Sequence, residues 1–69
     1  MDRREIEEVV RSVLTHYGLG ASVGRITANG RAWDVEIIDA AKTITTVHIP
    51  TDTAQGVRRA VMNAFNVEG

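Results

Sequence analysis

The segment Ser22-Val23-Gly24-Arg25-Ile26-Thr27-Ala28-Asn29-Gly30-Arg31-Ala32-Trp33-Asp34-Val35-Glu36-Ile37-Ile38 decides the fold. Its centre, Asn29-Gly30, is the pair best suited to a two-residue type I′ turn, where both central residues take positive φ. The flanks, residues 22–28 and 31–38, carry the β-branched and aromatic side chains that favour strands. With Asn29 and Gly30 as the loop, Ala28 faces Arg31, Ile26 faces Trp33, Gly24 faces Val35 and Ser22 faces Ile37. The other face pairs Thr27 with Ala32, Arg25 with Asp34 and Val23 with Glu36. The face holding Ile26, Trp33, Val35 and Ile37 is the core side. A slip of one residue would turn Trp33 outward, so the apolar pattern specifies the register.

Upstream of the hairpin, Ile6, Val9, Val10, Val13, Leu14 and Tyr17 form one apolar stripe at helical spacing and predict an amphipathic helix over residues 2–17. Asp2 and Glu5 have the spacing of a capping box. Arg3–Glu7, Arg4–Glu8 and Glu7–Arg11 are candidate i,i+4 pairs, and Gly18 suits the position just past the helix. Downstream, a loop around Asp39-Ala40-Ala41-Lys42 leads to a third strand over residues 43–49. Burying Val47 and Ile49 removes more apolar surface from water than burying Ile44, so that parity is preferred. It places His48 on the open face with Ile44 and Thr46, and opposite Asp34. Pro50 stops the strand. Thr51 or Asp52 caps a second helix, with Asp52 and Gln55 at capping-box spacing. Val57, Ala60, Val61, Ala64 and Phe65 form its inner face, and Arg58, Arg59 and Asn63 its outer one. Gly56 either weakens this helix or permits a close backbone approach. Residues 66–69 are expected to fray.

The expectation is therefore one α+β domain in the order α-β-β-β-α. A three-stranded antiparallel meander carries two helices on one face and leaves the other open.

Composition narrows the function classes. A chain of 69 residues is one domain, and its hydrophobic fraction of 43% is ordinary for a globular fold. The absence of cysteine excludes disulfides and thiolate metal sites. A formal net charge of −1 supplies no global attraction to nucleic acid or anionic membrane. No apolar run reaches a membrane span, and the charged N-terminal residues do not read as a signal core, so a cytoplasmic protein is expected. No phosphate loop, metal-spaced cluster or nucleophile elbow is present, which points away from an enzyme and from any cofactor.

In order and length the chain resembles the double-stranded-RNA-binding domain. The resemblance covers nearly the whole chain and extends to Ala60-Val61-Met62-Asn63-Ala64-Phe65, which is similar to that family's core pattern in the second helix. It implies an α-β-β-β-α fold and an RNA-binding surface. That family grips phosphates with a Lys-Lys-x-Ala-Lys stretch opening the second helix. This chain has Thr53, Ala54, Gln55, Gly56 and Val57 at those positions. The family's Gly-Pro-x-His loop is replaced by Asn29-Gly30-Arg31.

Two sets of candidate residues follow. Arg58 and Arg59, with Arg31 and Lys42, are the candidate nucleic-acid contacts; exposed arginines on a helix are more often simply solvated. Arg25, Asp34 and His48 form a candidate ionisable row on the open sheet face, with Val23, Ile38 and Ile44 beside it, and Ala32 nearby. A surface polar ladder explains the row without any function. Trp33 belongs to the core by register, so it offers bases no stacking platform. The first strand, weakened by Gly24, is a candidate sheet edge for pairing with another chain. The expected function is a small non-enzymatic interaction module, binding a protein partner or a second copy through the open face or an edge strand. The alternative is a double-stranded-RNA-binding module using the arginines of the second helix. Neither requires a small molecule or a membrane.

Overall fold

Helix α1, Arg3–His16, opens on a complete capping box in the computed structural model, which describes residues 2–65. Glu5 N–H donates to Asp2 Oδ1 at 2.9 Å, and Asp2 N–H donates to Glu5 Oε1 at 3.4 Å. The helix ends in a Schellman motif: Gly18 takes φ +60°, and Leu19 N–H reaches back to the Leu14 carbonyl at 3.0 Å. Of the three expected ion pairs on α1, only Glu7–Arg11 closes, at 3.5 Å. It is the one with the acid on the N-terminal side, the orientation the helix dipole favours.

Three antiparallel strands follow: β1, Ser22–Asn29; β2, Ala32–Ile38; and β3, Ile44–Ile49, in the order β1-β2-β3. Helix α2, Ala54–Ala64, completes the α-β-β-β-α order. Both helices lie on one face, α1 over β1 and α2 over β3, and they touch each other.

The hairpin register differs from expectation at two places. Asn29 pairs with Ala32, so the loop is Gly30-Arg31, not Asn29-Gly30. Only Gly30 has positive φ, +65°, which matches a type II′ turn with glycine first. The shift moves the register by two residues, so every side chain stays on its expected face near the turn. Ile26 thus pairs with Val35, and Ala28 with Trp33. Further along, Gly24 and Arg25 together oppose Glu36, a β-bulge between the Val23–Ile37 and Ile26–Val35 pairs. The bulge resets the alternation. Val23 packs against the core instead of lying on the open face, and Gly24 no longer faces Val35.

The third strand keeps its expected register. Asp39 Oδ1 accepts from Ala41 N–H and Thr43 N–H, both at 2.9 Å, and Asp39 N–H donates to the Thr43 carbonyl at 3.1 Å. This loop sets Asp34 opposite His48 and buries Val47 and Ile49. Trp33 lies on the core face, half-buried between Ala28 and Ile49 at the sheet's end.

The core is aliphatic. Ile6, Val10, Val13 and Leu14 of α1, Ile26, Val35, Ile37, Val47 and Ile49 of the sheet, and Val57 and Val61 of α2 are all buried. Helix α2 is capped by Thr53 rather than Thr51 or Asp52: its Oγ1 accepts from Gly56 N–H at 3.1 Å. Thr51 instead packs over Gly56, where a Cβ would lie 2.0 Å from Thr51 Cγ2. The close approach is therefore the reason for glycine at this position. The expected fray of residues 66–69 lies outside the described residues.

Two stability changes follow. Gly56→Ala, worth about 1 kcal/mol of gain in an open helix, should instead lower the urea midpoint. In a Thr51→Ser background, which lacks the obstructing methyl, the same change should cost less but still destabilise, because Thr53 Oγ1 at 2.9 Å and the residue 51 Cβ at 3.2 Å would still crowd the new methyl. Lys42 holds φ +64° at the end of the β2–β3 loop. Lys42→Gly should relieve that strain and stabilise by about 0.5–1 kcal/mol, a rise of a few degrees in Tm.

Candidate functional site

The uncovered sheet face is built by alternation. From β2 it takes Ala32, Asp34, Glu36 and Ile38, and from β3 it takes Ile44, Thr46 and His48. At its centre Asp34 and His48 meet, with Nδ1 and Oδ1 2.9 Å apart. A carboxylate oxygen only accepts, so Nδ1 carries the hydrogen and donates it. The side chains are 34% and 60% exposed, which leaves the pair open to water and to salt screening.

Arg25 does not join this row. The bulge carries it to Glu36's level, and Thr27 stands opposite Asp34 instead. The row across the sheet is therefore Thr27–Asp34–His48. Among the described residues Arg25 makes no ion pair within 4.0 Å. The apolar patch also shrinks, because Val23 has turned inward. What remains is Ile38 paired with Ile44 beside the β2–β3 loop. Ile44 is 58% exposed and is the one large hydrophobic side chain so open among the described residues. Glycine at position 24 lets Ile38 lie across β1, where a Cβ would stand 3.3 Å from Ile38 Cδ1.

The two sheet edges are unequal. The β1 edge is broken by the bulge and carries Arg25, two devices that discourage pairing with another chain. The β3 edge has neither. Its six residues, Ile44-Thr45-Thr46-Val47-His48-Ile49, pair with β2 without a register shift, and Pro50 follows only after the strand ends. The strand holds no Lys, Arg, Asp or Glu, and five of its six residues are β-branched. The first strand is a sheet edge, as expected, but the bulge interrupts it, and Gly24 inside a strand is the sequence signal for that bulge.

The candidate cations do not gather on one surface. Arg31 lies in the β1–β2 turn and Lys42 in the β2–β3 loop, at opposite ends of β2, while Arg58 and Arg59 lie exposed on α2. Arg58 lines a cleft with Ser12 and His16 of α1 and with Tyr17, its C-cap. The first turn of α2, capped by Thr53, contains no acidic residue. No helix among the described residues is long and apolar enough to cross a membrane, and no group of three or more His, Cys, Asp or Glu residues among them could hold a metal ion.

Comparisons with protein-family models, with curated proteins and with solved structures find no match.

The central pair can be measured directly. A double-mutant cycle of Asp34→Ala and His48→Ala, read by urea denaturation, should give a coupling of about 0.2–1 kcal/mol, the range for exposed ion pairs. Raising salt should reduce it. A coupling indistinguishable from zero at low salt would mean the contact does not form in solution.

Proposed function

We propose that this domain is a non-enzymatic interaction module that receives an extended protein segment along β3. The observation that carries this is the uninterrupted β3 edge lying beside exposed Ile44. An added strand would gain main-chain hydrogen bonds from the outward N–H and C=O groups of β3. Its alternate side chains would adjoin Ile44, Thr46 and His48 on the open face, which supplies selectivity through shape and polarity. A second copy of this chain is the first occupant to test, since β3 of one protomer can align antiparallel with β3 of another about a two-fold axis. An interface of one short strand is small, so the association should be weak and reversible.

The double-stranded-RNA reading rests on element order, on the core pattern of residues 60–65 and on Arg58 and Arg59. It is supported less, because Thr53, Ala54 and Gln55 open α2 where the resemblance implies lysines, and because Arg31 and Lys42 lie at opposite ends of the sheet.

Sedimentation and amide chemical shifts across a wide concentration range test the edge. The expected result is a concentration-dependent mass, with shifts centred on residues 44–49, and loss of both in Thr46→Lys. Thr46→Lys, at an exposed position, should change stability by no more than about 0.5 kcal/mol. If the chain stays monomeric, an extended peptide selected for binding to it should shift the same amides. Association that survives Thr46→Lys, or shifts confined to α2 on adding duplex RNA of about 16 base pairs, would overturn the proposal.

A further inference from the structure

The two helices leave a cleft between the C-terminal half of α1 and the outer side of α2. Its lining is Ser12, Val13, His16, Tyr17, Arg58 and Met62, and its volume is about 230 Å³. We infer that this cleft binds a compact oxyanion of the phosphate class, a ligand site separate from the β3 edge.

Four of the six lining residues carry hydrogen-bond donors, two are apolar, and none is acidic. Ser12 and His16 are one helical turn apart on α1, and Arg58 and Met62 one turn apart on α2, so each helix presents a spaced pair to the same space. Arg58 has no carboxylate within 4.0 Å among the described residues, so its planar fork of donors is uncommitted. The half-buried Tyr17 hydroxyl donates only to Met62 Sδ, at 3.8 Å. A thioether is a weak acceptor, so this hydroxyl retains a strong hydrogen bond to give. His16 and Tyr17 stand edge to face, with centroids 4.8 Å apart, which holds the imidazole beside the phenol.

Neighbouring charge is compatible with an anion. The groove continues past Gln55, Arg59 and Asn63, none of them acidic. On its other side Glu8 lines a shallow depression with Arg11, which is itself paired with Glu7. The α1 C-terminus brings the negative end of a dipole of about half a unit charge, against the whole charge of Arg58. The Schellman bonds already engage the Leu14 and Thr15 carbonyls at that end.

The cleft is small. A volume of about 230 Å³ falls below the roughly 300–1,000 Å³ of sites for drug-sized molecules. It has room for a tetrahedral oxyanion with a small apolar group against Val13 and Met62, and the groove toward Arg59 stays open beyond it.

Amide and arginine side-chain shifts test this, with inorganic phosphate and phenyl phosphate titrated at constant ionic strength against chloride. The expected result is saturable shifts at Ser12, His16, Tyr17 and Arg58. Arg58→Gln should weaken binding at least about tenfold, the loss of one charge-assisted contact. Arg31→Gln, an equal charge change at the far turn, should leave it unchanged. Tighter binding of phenyl phosphate would identify an organic monoester, and equal binding the free ion. Shifts that never saturate, or equal weakening by Arg58→Gln and Arg31→Gln, would overturn the site, because both mean only general attraction to positive charge.

Discussion

The structure turns on one extra residue. In β1, Gly24 and Arg25 stand against Glu36 alone. Val23 and Ile26 are three positions apart, so a strand with strict alternation could send only one of them inward. The bulge lets both face the helices, where Ile26 is buried under α1 and Val23 packs on the core beside Ile37. A 69-residue domain has few apolar side chains to spare. Losing Val23 to solvent would thin the core at the sheet end that receives the C-terminus of α1.

The same residue sets the chemistry of the outer face. By moving Arg25 away from Asp34, it leaves the carboxylate to His48 and places a threonine on the other side. By turning Val23 inward, it reduces the exposed apolar surface to Ile38 and Ile44. By kinking β1, it blunts one edge and leaves β3 as the regular, uncharged one. These consequences share one cause. The interhelical cleft is independent of them. It lies between the outer shoulders of two side-by-side helices, where Arg58 and Tyr17 line the same space.

Much of the fold was legible because it rests on local rules. The apolar stripe of α1, its capping box and its terminal Gly18 are set by neighbours within one or two turns. The Asp34–His48 pairing followed from counting across a short loop, which Asp39 holds at the assumed length. The missed features lie where local signals compete. Asn29-Gly30 is a strong turn signal, yet Gly30 also fits a type II′ turn one residue later, and packing of Ile26 opposite Val35 favours that shift. Thr51, Asp52 and Thr53 are all competent caps; the seat of Thr51 over Gly56 leaves the role to Thr53.

The sequence by itself determined the order of elements and, Val23 apart, the sheet face that becomes core, and it favoured one parity for the third strand. Each follows from periodicity and turn chemistry, which act over a few residues. Only the tertiary structure decided where the hairpin bulges, which edge stays open, and that Ser12 and His16 share a cleft with Arg58. Those outcomes depend on how two helices and a sheet fill one volume. Close packing chooses among registers that local propensity leaves nearly equal.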